Sequence, residues 1–418
     1  MERNISMKVL ISAYACEPGL GSEPEIGWNW SLGMAEYSEV WTITRASNQI
    51  RIEEGLRDID KSKRPNFVYY DLPLIFRWWK KHLPWGTQIY YFFWQMAIIR
   101  KIRIINNDVE FDFAQHITFG NMIWPIALPW IGIPFIIGPV GGGEYPVCYK
   151  WQFFRFKGTV EKVIRRVVQR VFVVSPLARF GYKRALKIYV TTQQSYDLLP
   201  LKYQKKTEIL QSIAINEDLV RNVDFRKRKY DEKFRIVFMG RLCYWKGVYL
   251  VAEVIKSLSK HIEYTFSFIG EGSESKKLRS ILDKEIDNGV VVFYGPMQRK
   301  EAITELKKNN VLLFPSFQDS GGMVVYEAMA AGVVAFVLDV AGPGVNVNGV
   351  NGVKFTCSEP DGLVEKIVNK IEEVKNDSRI YSMYQEAGRD WVCKHGVIDN
   401  RIVKITEDVS NLLISNVK

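Results

Sequence analysis

Short apolar runs alternate along the chain with longer stretches in which apolar and polar residues mix. Such runs are typical of buried strands, and the mixed stretches are typical of amphipathic helices. In the first half the pattern predicts strands at Lys8–Tyr14, Val40–Thr44, Asn66–Tyr70, Phe111–Ala114 and Pro134–Gly138. In the second half it predicts strands at Phe234–Met239, Tyr264–Ile269, Val290–Phe293, Val311–Phe314 and Val333–Leu338. Helices are predicted between these later strands, at Val248–Ser259, Glu274–Ile286, Lys300–Asn309 and Met323–Ala331.

This alternation predicts the domain organisation. Alternating strands and helices indicate parallel sheets covered by helices on both faces. A charged run at 225–233 separates two such regions, and 418 residues suit two large domains. We predict an α/β protein with two doubly wound, Rossmann-like domains at 1–215 and 216–395 that face each other across a cleft. A C-terminal helical segment follows at 396–418.

Three features decide whether the chain is a membrane, secreted or metal-binding protein. The uncharged run 117–143 is long enough to span a bilayer, but four prolines break it, and we predict a helix, a turn and a buried strand. The apolar N-terminal stretch is short, which favours a first strand over a signal peptide. The five scattered cysteines indicate reduced thiols in a cytosolic protein.

The net charge of +11 is concentrated in the first half of the chain. Residues 72–107 carry +6 without any acid, residues 150–187 carry +10, and the rest of the chain sums to −5. Aromatic residues crowd the same two stretches, including Trp78, Trp79 and Trp85. Basic and aromatic residues together favour contact with an anionic membrane surface. The alternatives are aromatic residues that face the core beneath a solvated charged face, and nucleic-acid binding, which we do not predict.

The first candidate for chemistry is the segment Gly240–Gly247, which lies between a predicted strand and a predicted helix. Arg241 and Lys246 stand five residues apart on this glycine-bounded loop. An arginine fork, a lysine charge and the positive end of a helix together suit a diphosphate. The alternative is an ordinary strand–helix loop with two exposed cations.

The second candidate is the segment Phe314–Gly332, where a strand ends and a Gly-Gly loop precedes a helix. Free backbone N–H groups at the start of that helix suit a phosphate or a sugar hydroxyl. Asp319 and Glu327 are placed to accept hydrogen bonds from sugar or ribose hydroxyls. Glu327 stands among apolar residues, and a buried acid there needs a partner.

These segments resemble the donor-site motifs of the retaining GT-B glycosyltransferases of family 4, also called glycosyl transferases group 1. The first resembles the family's G-R-[LF]-x-x-x-K-G loop, and the second its P-S-x-x-E-x-x-G-x-x-x-x-E-A-x-A-x-G motif. Ile269–Gly272 is similar to a strand-end G-x-G motif of the family. Ala13–Trp28 and Gly138–Glu144 resemble a bacterial subgroup that makes exopolysaccharide, capsule or lipopolysaccharide.

The resemblance implies roles for individual residues. Arg241 and Lys246 would hold the diphosphate, Glu327 the ribose, Asp319 the donor sugar, and His116 would lie near the reacting sugar. The backbone around the donor would come from Gly240, Gly270, Gly295, Met297, Gly321, Gly322, Met323 and Val324. Gly19 and Gly21 would form a loop of the acceptor-binding N-domain. Asp319 departs from the family's glutamate and is one methylene shorter, which shifts its reach to the sugar.

The family's chemistry implies transfer from a nucleotide-diphosphate sugar with retention at the anomeric carbon. The leaving phosphate would assist deprotonation of the acceptor, and no metal or other cofactor is expected. The acceptor would be a glycan, lipid-linked at the inner face of the cell membrane, and residues 396–418 would cross back onto the N-domain.

Other readings of the sequence stay open. Gly19–Pro24 has the spacing of a dinucleotide fingerprint, but Pro24 replaces its third glycine and no ribose-binding acid follows Val40–Thr44. Asp58 and Asp60 have the spacing of a metal-binding pair, but their charged surroundings indicate a solvated surface. A nucleotide-sugar epimerase of the same architecture and a non-catalytic protein bound at a membrane are the alternative functions.

Overall fold

The computed structural model describes residues 7–83, 85–145, 155–215, 233–258, 262–357 and 361–417. The chain divides into two compact units. The first consists of Met1–Gly143, Val167–Ile213 and Ile398–Lys418, and the second of Glu144–Arg166 and Ala214–Val397. Most of the predicted boundary, residues 225–232, lies outside the described residues, as do the aromatic residues Trp151, Phe153 and Phe154.

The first unit is built on a seven-stranded sheet in which all pairs are parallel. Its strands are β1 (Lys8–Ala13), β2 (Glu39–Thr44), β3 (Asn66–Tyr69), β4 (Phe113–Thr118), β5 (Phe135–Val140), β6 (Ile188–Val190) and β7 (Thr207–Ile209). They lie in the order β3-β2-β1-β4-β5-β6-β7. The strands β6 and β7 were not predicted, since three residues are too few for a clear apolar period.

The helices around this sheet come from the first half and from the last residues of the chain. They are α1 (Ser22–Ala35), α2 (Gln49–Leu56), α3 (Leu74–His82), α4 (Gly86–Val109), α5 (Arg155–Val173), α6 (Pro176–Arg184), α7 (Gln193–Leu198), α8 (Leu201–Gln204) and α17 (Asp399–Val417). The division into units falls within α5, whose residues up to Arg166 are counted with the second unit. The helix predicted within 117–143 is wrong, because that segment contains only a 3₁₀ turn at Leu128–Trp130 besides strands. Its prolines remove the backbone donors that a helix needs.

The sheet of the first unit buries both of its faces. Leu10 of β1 packs with Trp94 and Ile98 of α4 on one side. Val9, Ile11 and Ala13 face the other side, where Trp30 of α1 lies together with Ile402, Ile405 and Val409 of α17. This alternation along one strand follows from the two-residue period of a β-strand. The last helix is therefore part of the first unit's core.

The second unit is built on a six-stranded parallel sheet. Its strands are β8 (Phe234–Met239), β9 (Tyr264–Ile269), β10 (Val291–Gly295), β11 (Val311–Phe314), β12 (Val334–Leu338) and β13 (Val353–Phe355). Its helices are α9 (Val248–Leu258), α10 (Ser275–Ile281), α11 (Asp283–Asp287), α12 (Arg299–Leu306), α13 (Met323–Ala330), α14 (Ala341–Asn346), α15 (Leu363–Asn376) and α16 (Ser378–His395). The predicted fold class is confirmed for both units.

The strand order of each sheet determines where a ligand can bind. In the second unit the order is β10-β9-β8-β11-β12-β13, so the chain switches direction across the sheet between β8 and β11. In the first unit the switch lies between β1 and β4. Open parallel sheets bind ligands beside the carboxyl ends of the strands at such a point. No described helix has the length and apolarity needed to cross a membrane.

Candidate functional site

The loop that follows β8 is held close to the loop that follows β11. It ends at Gly247, whose φ of 79° lies in the left-handed region that favours glycine. A Cβ at Gly247 would overlap the carbonyl oxygen of Pro315, and a Cβ at Gly270 would overlap that of Gly240. These glycines therefore allow three strand-end loops to meet beside the switch point.

Lys246 and Asp319 come together where these loops meet. The Lys246 Nζ forms an ion pair with Asp319 Oδ2 and lies 4.9 Å from the centre of the Phe314 ring. The other carboxylate oxygen of Asp319 accepts hydrogen bonds from the N–H groups of Gly321 and Gly322, at 3.4 and 3.2 Å. The aspartate is thus bound within its own loop, which its short side chain permits.

Two backbone donors at the start of α13 remain available beside this pair. The N–H groups of Met323 and Val324 donate to no acceptor among the residues that the structure describes. The loop before them is fixed by Asn346 of α14, whose Nδ2 donates to the Gly321 carbonyl at 2.6 Å. Free N–H groups at a helix N-terminus, next to a lysine, form an anion-binding arrangement.

Arg241 adds a second cation to the loop after β8. Its side chain is exposed, and it forms no ion pair with an acid in the described part of the chain. The loop thus presents one arginine that is free to meet a ligand and one lysine that is paired with Asp319. A diphosphate could replace the carboxylate on Lys246 and recruit the guanidinium of Arg241.

Glu327 lies one turn into α13 and is buried. Its Oε1 lies 2.7 Å from Nη2 of Arg299, and the same nitrogen lies 3.1 Å from the sulfur of Met323. Arg299 is the first residue of α12 and follows the loop that contains Met297 and the end of β10 at Gly295. A partner for Glu327 was expected from the sequence, but Arg299 was not predicted, although it stands two residues beyond Met297, which was predicted to lie at the donor.

His116 belongs to the first unit and lies within β4. It is buried, with its two ring nitrogens 3.3 Å from Ser12 Oγ and 3.4 Å from the Tyr91 hydroxyl. Burial lowers the pKa of His116 to about 3. The imidazole is therefore neutral at pH 7, so it can form hydrogen bonds but carries no charge.

The glycine loop of the first unit, at Gly19 and Gly21, binds a carboxylate of the same chain. The N–H groups of Gly19 and Gly21 both donate to Glu25 Oε2, at 2.7 and 3.4 Å. Both glycines have positive φ, 74° and 66°, which directs their N–H groups to one side. The N–H groups of this loop are thus occupied by a carboxylate of the same chain.

The structure brings most of the predicted donor-site residues together in the second unit. Lys246, Asp319, Gly321 and Gly322 are in direct contact, and Gly270 packs on Gly240. His116, Gly19 and Gly21 lie in the first unit. Within the described ranges, no cluster of three or more histidine, cysteine or acidic side chains is placed to hold a metal ion.

Most of the second unit is similar to a known protein family. Residues 220–391 match the family Glycosyl transferases group 1. A Klebsiella pneumoniae protein described as an uncharacterized 41.2 kDa protein in the cps region is 31% identical over 234 residues, which are 53% of this chain and 60% of that protein. The chain spans about half the length of the first curated relatives that it matches.

Solved structures match the whole chain in fold. The Anabaena protein HepE, solved in complex with UDP and glucose, has a TM-score of 0.61 at 14% identity and covers 97% of this chain and 100% of its own. WaaG, a glycosyltransferase involved in lipopolysaccharide biosynthesis, has a TM-score of 0.59 at 16% identity and covers 95% of this chain and 99% of its own. Residues 220–391 therefore match the glycosyl transferases group 1 family, within a chain that has the GT-B fold.

Proposed function

We propose that this protein is a glycosyltransferase that moves a sugar from a nucleotide-diphosphate sugar to a glycan acceptor in the synthesis of a cell-surface polysaccharide. The observation that carries the proposal is the meeting of Lys246 and Asp319 beside the free N–H groups of α13, at the switch point of the sheet. The family match, the UDP and glucose bound by HepE, and the cps-region relative support the same function.

The proposed reaction proceeds with retention and without a metal ion. The bond between the anomeric carbon and the diphosphate oxygen breaks, and the acceptor oxygen attacks from the same face. The proton of the acceptor hydroxyl passes to the departing diphosphate. Arg241 and Lys246 stabilise the charge that develops on the leaving group, which supplies the electrostatic part of catalysis. Glu327 would bind the ribose, and neutral His116 would bind a sugar hydroxyl.

A panel of nucleotides tests the donor assignment. The panel consists of UDP, GDP, ADP and dTDP and the corresponding nucleotide sugars. We expect the nucleotides of one base to raise the melting temperature of the protein and those of the other bases to leave it unchanged. Ligand binding to the folded state alone stabilises it by about 2.7 kcal/mol at a hundred times Kd. NMR of the transfer product then determines the anomeric configuration of the transferred sugar, which should equal that in the donor. A panel without any thermal shift, or an epimerised free nucleotide sugar as the product, would contradict the proposal.

We also propose that the acceptor is lipid-linked and that the protein works at the inner face of the cell membrane. Helix α3 has no buried residue, and it carries exposed apolar side chains beside Arg77 and Lys81. We call the following residues the α3 surface: Leu74, Ile75, Trp78, Leu83 and Trp85. An exposed apolar helix face with basic neighbours suits the headgroup zone of an anionic membrane.

Helix α5 adds a second surface of the same kind. Its exposed apolar residues Val163, Val167 and Val171 recur every four positions and so line one face of the helix. Arg166 and Arg170 lie next to this row. A continuous apolar row flanked by arginines is the pattern of a helix that lies in the plane of a membrane surface.

The variant Trp78→Ser/Trp85→Ser tests the membrane proposal. We expect its binding to anionic vesicles at low salt to fall at least tenfold, because two interfacial aromatic side chains are lost. Vesicle co-sedimentation measures the bound fraction. Leu201→Ser, which removes another exposed apolar residue of the first unit, is the matched control and should bind normally. Unchanged sedimentation of the double variant would refute a role for the α3 surface.

A further inference from the structure

A second cluster of cations lies in the first unit, at the carboxyl ends of β1, β2 and β3. Tyr14 directly follows β1, Arg45 directly follows β2, and Asp71 follows two residues after β3. Lys80 reaches the same place from α3. This position lies on one side of the switch point between β1 and β4, where a parallel sheet is open to a ligand.

Arg45 and Lys80 both approach the ring of Tyr14. The guanidinium carbon of Arg45 lies 4.6 Å and the Lys80 Nζ 5.6 Å from the centre of that ring, and Lys80 also lies 5.2 Å from the ring of Tyr90. Two like charges in one partly buried place repel each other. Burial and the neighbouring Arg45 lower the pKa of Lys80 to about 8.

The acids in this cluster act on Lys80 only from a distance, and burial and Arg45 outweigh them. They are already engaged with arginines at 3.2–3.7 Å: Glu17 with Arg45 and Arg51, and Asp71 with Arg77. Lys80 forms no ion pair or hydrogen bond with any residue that the structure describes. The cluster therefore holds one half-buried positive charge that has no direct ion-pair partner in the described part of the chain.

Tyr14, whose ring both cations approach, also carries a hydrogen-bond donor. Tyr14 is 3% exposed, and its hydroxyl forms no hydrogen bond within the described part of the chain. Its ring is fixed edge-on against Tyr91 and Trp94, with centres 5.4 and 5.3 Å apart. Burial raises the pKa of Tyr14 to about 12, so the hydroxyl keeps its proton. A buried hydroxyl without a hydrogen-bond partner is unfavourable, and a ligand oxygen that accepts its hydrogen bond would remove this penalty.

We propose that Lys80, Arg45 and the Tyr14 hydroxyl form an anion-binding subsite that takes an oxyanion group of the acceptor, either a phosphate or a carboxylate. The assignment of the anion to the acceptor rests on the proposed function, whereas the binding of the anion does not. A phosphate would come from a lipid carrier, and a carboxylate from an acidic sugar. Lys80 belongs to the helix that carries most of the α3 surface. A phosphate bound by Lys80 would therefore lie close to the proposed membrane surface, as expected for the phosphate of a lipid-linked acceptor.

Small anions test the subsite directly. Methyl phosphate and methyl glucuronide are titrated at low ionic strength into protein that carries Lys246→Ala, so that the diphosphate loop of the second unit is disabled. Lys80→Met is then added, with Lys81→Met as the matched control, since Lys81 is an exposed lysine of the same helix. We expect Lys80→Met to weaken binding at least tenfold and Lys81→Met to leave it unchanged. The anion that binds identifies the source.

Folding of the variants is controlled by their melting temperatures. Lys80→Met should raise the melting temperature at pH 7, because it removes a half-buried cation that has no direct ion-pair partner in the described part of the chain. Tyr14→Phe should preserve the fold and weaken anion binding. If Tyr14 had only a structural role, its replacement by phenylalanine would leave anion binding unchanged. Equal binding by the Lys80 and Lys81 variants, or binding of neither probe, would overturn the subsite. Titration of the parent protein with UDP, GDP, ADP and dTDP reports on the proposed function separately.

Discussion

Replacement of Lys246 by alanine is expected to reduce kcat at least a hundredfold and to remove most of the thermal stabilisation by the donor nucleotide. Lys246 is the cation that meets Asp319 beside the free N–H groups of α13. A single group that stabilises developing charge in an active site contributes about a hundredfold to a thousandfold in kcat. Initial rates of sugar transfer and melting curves with the nucleotide measure the two effects.

A matched lysine gives the control for this result. Lys256 lies exposed on α9, the helix after the same loop, and Lys256→Ala should keep normal rates and nucleotide binding. Lys246→Arg should recover part of the activity, because it keeps the charge but changes its geometry. Near-normal turnover in Lys246→Ala would show that the loop after β8 does not hold the diphosphate.

Replacement of Arg299 by methionine should lower the stability of the second unit by about 2 kcal/mol and weaken nucleotide binding. The change leaves the buried carboxylate of Glu327 without the guanidinium that lies 2.7 Å from it. Removal of one partner of a buried ion pair is strongly destabilising because the remaining charge stays out of water. The expected loss corresponds to roughly 5 °C in melting temperature for a unit of this size.

A double variant separates this ion pair from other effects of the substitution. In Arg299→Met/Glu327→Gln no charge remains buried at this position, so the double variant should be more stable than Arg299→Met alone. Its nucleotide binding should stay weak, because the carboxylate that we propose binds the ribose is gone. If the double variant lost as much stability as Arg299→Met and Glu327→Gln lose together, Arg299 and Glu327 would not interact energetically.

The strands and the strand-end loops of the second unit were largely predictable from the sequence. Its apolar runs are separated by glycine-bounded loops, and predicted ranges such as Phe234–Met239 match the observed strands. The long predicted helix Glu274–Ile286 is wrong in detail, because the chain breaks at Leu282 into α10 and α11. Leu282 packs as a buried residue at this break, which a helical period alone does not indicate.

The partners of the site residues were not predictable in the same way. The pairing of Arg299 with Glu327 joins residues 28 positions apart, and that of Lys246 with Asp319 joins residues 73 positions apart. Such contacts depend on which strands are neighbours in the sheet, and a local apolar pattern does not fix that order. The exposure of Trp78 beside the inward-facing Phe76 likewise depends on how α3 packs against α4.

The position of α17 has a consequence for folding during synthesis. Ile402, Ile405 and Val409 fill the core of the first unit, yet the ribosome makes them after the entire second unit. The first unit therefore cannot complete its core while its own strands emerge from the ribosome. The face of its sheet against which Trp30 packs stays partly uncovered until residue 409 has been made. Domains usually finish folding in the order of their synthesis. Here the second unit is able to fold first, and the N-terminal unit is completed last.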